Sequence, residues 1–236
     1  MLRIQVIITC KYIRRATLLL ITILAVALQA PGQRKVDDVQ VGESERKMAR
    51  SDRFETGMNE FGIWGGGSFE SPTLIGTTES ARFALVGIRY TRILATRNQL
   101  TFKYTVDVIP AAFLSFPQSS LAQSTALDFM PSPRRAIFGM GVSPIGFQVS
   151  FRRTKNVQPF IGTSGGFIYF VKAVPDSNGA RFNFTADFGG GLQVFNSLHR
   201  AITIGYKYHH LSNDNRELAN PGFDANLLYV GFSIFR

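Results

Sequence analysis

Three residue types that together make an acyl-transfer site stand near the end of the chain: His210, Ser212 and Asp224. A serine hydroxyl is a poor nucleophile until a base takes its proton, and histidine titrates near neutral pH. A carboxylate on the far ring nitrogen fixes the tautomer and stabilises the imidazolium. Spacing matters as much as residue type. Read as a β-strand, residues 201–212 place Ile202, Ile204, Tyr206, Tyr208, His210 and Ser212 on one face. The next strand repeats the pattern, with Asp224 heading a face of Asn226, Leu228, Val230, Phe232 and Ile234. A greasy face that carries tyrosines and ends in histidine and serine suits a strand facing lipid. The chemistry expected is that of a hydrolase whose substrate lies in a membrane.

Residues so placed need a wall of strands to hold them. The chain has 236 residues, enough for one barrel domain, with 22 glycines, 21 phenylalanines and only 18% charged residues. Glycine relieves crowding at bends and phenylalanine faces lipid, so the pairing points to a membrane β-barrel. Beyond residue 30 no apolar run approaches the roughly 18–20 residues that a spanning helix needs. Any crossing therefore falls to strands.

Arg3, Lys11, Arg14 and Arg15 precede an apolar run over residues 16–28, with small residues at Ala25 and Ala27. This is the arrangement of a secretory signal peptide, assigned to residues 1–27. Its removal takes away those four basic groups and no acid, which lowers the formal charge from +10 to +6. The remaining basic residues are spread among turns and alternate strand positions, so nucleic acid is not an expected partner. Cys10 lies in the leader, and the rest of the chain then offers no thiol or disulfide chemistry. Residues 28–52 are polar and mixed in charge, and read as a flexible periplasmic segment. The barrel is assigned to residues 53–236.

Within it, strand-like segments fall near 57–69, 82–93, 100–108, 136–152, 158–171, 182–188, 201–212 and 224–234. The clearest sets Leu100, Phe102, Tyr104, Val106 and Val108 against Thr101, Lys103, Thr105 and Asp107. Pro144 interrupts the fourth segment and demands a bulge, because a closed barrel has no edge strand to hold a proline. Short connections at 95–98, 153–156 and 196–199 alternate with longer ones at 70–80, 114–134, 173–179 and 213–222. That alternation is typical of outer-membrane barrels with tight periplasmic turns and longer outer loops. The expected fold is all-β, an eight-stranded antiparallel up-and-down transmembrane β-barrel. A soluble barrel of the lipocalin kind is the competitor, with apolar residues inside.

The run His210-Leu211-Ser212-Asn213, followed by Asn220-Pro221-Gly222 and the acid Asp224, resembles the PagL-like lipid A 3-O-deacylase family. The resemblance rests on residues 201–236. It implies an eight-stranded outer-membrane barrel whose Ser-His-acid site removes an ester-linked acyl chain from lipid A of lipopolysaccharide. The family's His-x-Ser-Asn motif falls on His210, Ser212 and Asn213. Its acid falls on Asp224, and its downstream asparagine falls on Asn220. Asn213 and Asn220 are thereby the expected oxyanion or supporting residues. One departure stands out: the family usually has glutamate where this chain has Asp224, one methylene shorter. The implied location is the outer membrane of a Gram-negative-type bacterium. The implied partners are lipid A and the membrane itself, and a homodimer is left open.

Blander roles are available to each residue. His210 fits an interfacial aromatic belt with Tyr206 and Tyr208, Ser212 and Asn213 suit the start of a turn, and Asp224 suits a solvated loop base. His209, Lys207 and Asp187 fall on the lumen parity, as members of an interior polar network. No metal spacing appears among His199, His209 and His210, and no cofactor is expected. The glycine runs 65–67 and 189–191 lie in strand context, without the following helix of a phosphate loop. A non-enzymatic small outer-membrane barrel, structural, adhesive or carrying apolar ligands, is the alternative function.

Overall fold

Strict alternation along a strand requires two environments, and a computed structural model of the chain identifies them. It describes residues 54–117, 134–175, 178–216 and 221–236. The signal peptide and N-terminal segment expected over 1–52 lie outside the described residues. Along residues 100–108, Thr101, Lys103, Thr105 and Asp107 are buried, while Leu100, Phe102 and Val108 are exposed. The polar set faces inward and the apolar set outward. A lipocalin-like barrel has the reverse arrangement, so this wall is built for lipid.

Eight strands form the wall: β1 (Asn59–Ser68), β2 (Arg82–Arg97), β3 (Leu100–Pro117), β4 (Arg134–Phe151), β5 (Val157–Val174), β6 (Ala180–Phe195), β7 (Arg200–Ser212) and β8 (Phe223–Phe235). Each pairs antiparallel with its chain neighbours, and β1 pairs with β8 to close the barrel. Closure leaves no edge strand and satisfies the backbone inside a bilayer. The bulge required by Pro144 is present: Val142 pairs with Phe167 and Ile145 with Gly165, so Ser143 and Pro144 together oppose Gly166. A second irregularity at Pro110, between Ile109 and Ala112, lets β3 run well past Val108. The connection between β5 and β6 spans only 175–179, shorter than the expected 173–179, because β5 runs on to Val174.

The lumen is filled. Near the short-turn end, Phe54 packs edge-on against Phe195 and Phe235, at 5.2 and 5.3 Å between ring centroids. Toward the long-loop end, Phe83, Leu114, Ile137, Phe170, Leu211 and Phe223 belong to a second apolar cluster. Between them lie paired charges. Lys103 Nζ donates to Glu60 Oε2 at 2.9 Å and to Gln193 Oε1 at 3.1 Å. Arg89 grips both oxygens of Asp107, which also accepts from Trp64 Nε1 at 2.9 Å. His209 Nδ1 meets Asp187 Oδ1 at 2.6 Å, and Lys207 Nζ stands 3.9 Å from the other carboxylate oxygen. Buried charges persist only when paired and hydrogen-bonded in this way. The lumen is thus packed with paired charges between two apolar clusters, and the outer face is left for any chemistry on lipid.

Candidate active site

Strands β7 and β8 run side by side in register, and His210 sits directly opposite Asp224. Both point to the outer wall by strand parity. His210 Nδ1 lies 2.7 Å from Asp224 Oδ1. With Nδ1–H donating to the carboxylate, Nε2 keeps its lone pair and can accept a proton. Directly opposed residues in an antiparallel pair have Cβ atoms about 4.5–5.5 Å apart. An aspartate therefore reaches the ring, and its shorter arm is no obstacle.

Asp224 has outward parity yet is fully buried. The β1–β2 connection, 69–81, is what covers it. Three successive backbone N–H groups of that connection donate to Asp224 Oδ2: Leu74 at 2.9 Å, Ile75 at 2.8 Å and Gly76 at 2.9 Å. The next two residues fasten the connection to the approach of β8. Thr77 Oγ1 donates to the Pro221 carbonyl at 2.8 Å, and Thr78 Oγ1 to the Gly222 carbonyl at 2.6 Å. At the strand ends, Asn226 N–H donates to Ser68 Oγ at 3.1 Å. A carboxylate out of water needs donors on both oxygens. Here the imidazole serves one and the three amides serve the other.

The His210 side chain is partly exposed, at 19%. Gly222 makes room for it: a Cβ at that position would stand 3.3 Å from His210 Cε1 and 3.1 Å from Gly76 Cα. Gly222 also has φ +61°, where a side chain is strained. Tyr206 and Tyr208 line the same face, and Tyr206 Oη donates to Asn226 Oδ1 at 2.6 Å.

Ser212 ends β7 on the same face as His210 and is part-exposed. Two residues of strand separate their Cα atoms by about 6.8 Å. Ser212 Oγ accepts from the Asp214 N–H at 3.1 Å, and the chain then turns through Asp214 and Asn215 with φ +57° and +55°. Accepting occupies an oxygen lone pair and not the O–H proton. Ser212 thus begins a turn, two positions beyond His210 on the same strand face. Asn213 is 2% exposed, so its side chain is withdrawn from the open face expected of an oxyanion donor. With Ser212, Pro221, Gly222 and Thr78 it lines a small cleft at the rim. Asn220 lies outside the described residues. Sequence reasoning missed the Leu74–Gly76 amides altogether, since backbone donors leave no residue-type signature.

His209, adjacent in sequence, faces the lumen and pairs with Asp187, as its parity required. The two neighbouring histidines serve opposite sides of the wall. Arg216 lies over Phe184 at 4.6 Å and Phe182 at 5.9 Å. Phe184 is the cross-strand partner of Ser212, so a cation is held at this rim.

A small closed barrel with a polar lumen wall and an apolar outer wall belongs to the class of membrane β-barrels. Comparison with known proteins narrows the class. The profile of the family described as Lipid A 3-O-deacylase (PagL) matches residues 98–233. This chain belongs to that family, and its barrel is an outer-membrane barrel. The crystal structure of the outer membrane enzyme PagL superposes with a TM-score of 0.51 at 15% identity, covering 73% of this chain and 97% of that one. Neisserial surface protein A superposes with a TM-score of 0.44 at 11% identity, covering 75% and 96%. OprG from Pseudomonas aeruginosa gives a TM-score of 0.44 at 9% identity, covering 77% and 97%. At these identities the structural likeness speaks to fold. A search of curated proteins finds no match.

Proposed function

We propose that this protein is an outer-membrane serine esterase that hydrolyses an ester-linked acyl chain of lipid A. The family's description names the 3-O ester as the bond cleaved. The observation that carries the reading is the His210–Asp224 pair on the lipid-facing wall, with Nδ1 2.7 Å from Oδ1 and Ser212 two residues further along the same face.

Ser212 Oγ attacks the acyl carbonyl carbon while its proton passes to His210 Nε2. Asp224 stabilises the imidazolium through Nδ1. Collapse of the tetrahedral intermediate breaks the bond to the sugar oxygen, which leaves with the proton from Nε2. Water from the outer loops then attacks the acyl-enzyme and gives a proton to Nε2. The fatty acid departs as Ser212 recovers its hydrogen. Asn220, with backbone N–H groups of the rim turn, supplies the oxyanion donors in this scheme. Arg216 offers a cation to a phosphate of lipid A.

The test is fatty-acid release from purified lipid A in detergent micelles by the intact chain, Ser212→Ala and His210→Ala. Release by the intact chain that both folded variants lose supports the esterase. Absence of release by the folded intact chain favours a structural or binding barrel.

A further inference from the structure

We infer that the outer connection carrying Leu74, Ile75 and Gly76 is a positioning element for the Ser-His-acid site, holding one oxygen of Asp224 so that the other meets His210. The inference rests on the esterase reading above and adds to it a part of the chain nearly 150 residues away in sequence.

Three observations support it. First, an aspartate side chain has two rotatable bonds, and a single hydrogen bond to an imidazole does not fix both. Three amides converging on Oδ2 at 2.8–2.9 Å set the plane of the carboxylate and leave Oδ1 toward the ring. Second, the connection is indexed to the backbone that carries Asp224. Thr77 and Thr78 fasten to the carbonyls of Pro221 and Gly222, just ahead of Phe223 and Asp224. Third, the fit has no slack. A Cβ on Gly76 would lie 2.7 Å from both Gly222 C and Phe223 N, which are backbone atoms that cannot swing aside. Glycine at 76 is what lets the two backbones touch. The amides also act as fixed dipoles on a charge at a lipid-facing rim, where water is scarce.

The arrangement explains how aspartate serves where the family usually has glutamate. The direct cross-strand pairing gives it reach, and the three amides give it a fixed seat. The Leu74–Gly76 amides touch no substrate atom in this scheme. They act through Asp224.

The test is a double-mutant cycle on the full chain refolded in detergent, with kcat and KM for lipid A deacylation and unheated gel mobility as the check on folding. Gly76→Ala is compared with the pair Thr77→Val, Thr78→Val, each in the native and in the Asp224→Ala background. In the native background Gly76→Ala lowers kcat roughly ten- to hundred-fold and leaves KM within about two-fold. In the Asp224→Ala background the same change costs less than about two-fold, because there is no carboxylate left to hold. Equal fold-losses in both backgrounds, or a folded Gly76→Ala with native kcat, overturn the inference. If Gly76→Ala does not fold, the threonine pair gives the same two readings with a kcat loss of about two- to five-fold. That pair removes the hydroxyl bonds but keeps the Thr77 and Thr78 N–H bonds to the same carbonyls. Failure of the esterase reading is separate: Ser212→Ala and Asp224→Ala would then release fatty acid as the intact chain does, or none of them would.

Discussion

His210 and Asp224 share one rung of the β7–β8 ladder, with Nδ1 2.7 Å from Oδ1. Because neither partner comes from a long loop, the hydrogen bond inherits the rigidity of the barrel wall. The carboxylate's second oxygen is fixed independently by the Leu74, Ile75 and Gly76 amides. That division of labour between the two oxygens makes the effect of each substitution directional.

Asp224→Asn is expected to be more damaging than Asp224→Ala. The three amides select the carbonyl oxygen of the new side chain and turn its NH₂ toward His210 Nδ1. Nδ1 must then accept, Nε2 carries the proton, and the ring cannot take one from Ser212. Enforcing the wrong tautomer in this way costs on the order of 10⁴-fold in kcat. Alanine leaves the ring free to adopt either tautomer. Deacylation kinetics of the two variants rank them, and an Asn variant at least as active as Ala contradicts the proposed tautomer.

Asp224→Glu, although it installs the residue usual in the family, is expected to lower both stability and activity here. The site is fully buried under the β1–β2 connection, and an added methylene must push that connection away. Overpacking of this kind costs about 1–3 kcal/mol. Urea unfolding midpoints in detergent, measured beside kcat, give both numbers, and a glutamate variant as stable and fast as the native chain refutes the expectation.

Arg216→Ala is expected to raise KM for lipid A several-fold and leave kcat nearly unchanged. The guanidinium lies over Phe184 at 4.6 Å, beside the strand position of Ser212, and touches neither His210 nor Asp224 in the proposed scheme. A substrate with its phosphates removed should show no difference between the native chain and this variant.

Lys103→Met is expected to destabilise the barrel by about 3–5 kcal/mol, the loss typical of leaving one partner of a buried ion pair alone. Lys103 is fully buried, bonds Glu60 and Gln193, and stands over the Phe235 ring at 5.1 Å. Adding Glu60→Gln should recover most of the loss. Equilibrium unfolding of the single and double variants measures both, while deacylation by the folded fraction should stay near native.

How much of this was legible in the sequence depends on whether side chains or backbone did the signalling. Period-two contrast in residues 100–108 announced a strand, and the parity of Tyr206, Tyr208, His210 and Ser212 placed the reactive groups on one face. Pro144 announced its bulge, because a missing N–H in a closed ladder has few remedies. The extension of β3 beyond Val108 was not legible, since Pro110-Ala111-Ala112 erases the contrast while the bulge there preserves the ladder. Nor was the grip on Asp224 legible. It is made by amides of Leu74, Ile75 and Gly76, and an amide is the same in every residue but proline. Asn213 shows the complementary limit: the resemblance marked it as an oxyanion or supporting residue, but the step from 212 to 213 turns its side chain into the wall.

The seam between β1 and β8 has one further consequence. Until that seam zips, the first outer connection hangs from the far border of an open sheet, distant from the strands that bear His210 and Asp224. On the esterase reading proposed above, the open sheet carries nucleophile and base without a seated acid. In the proposed scheme, hydrolytic competence therefore arrives only with ring closure.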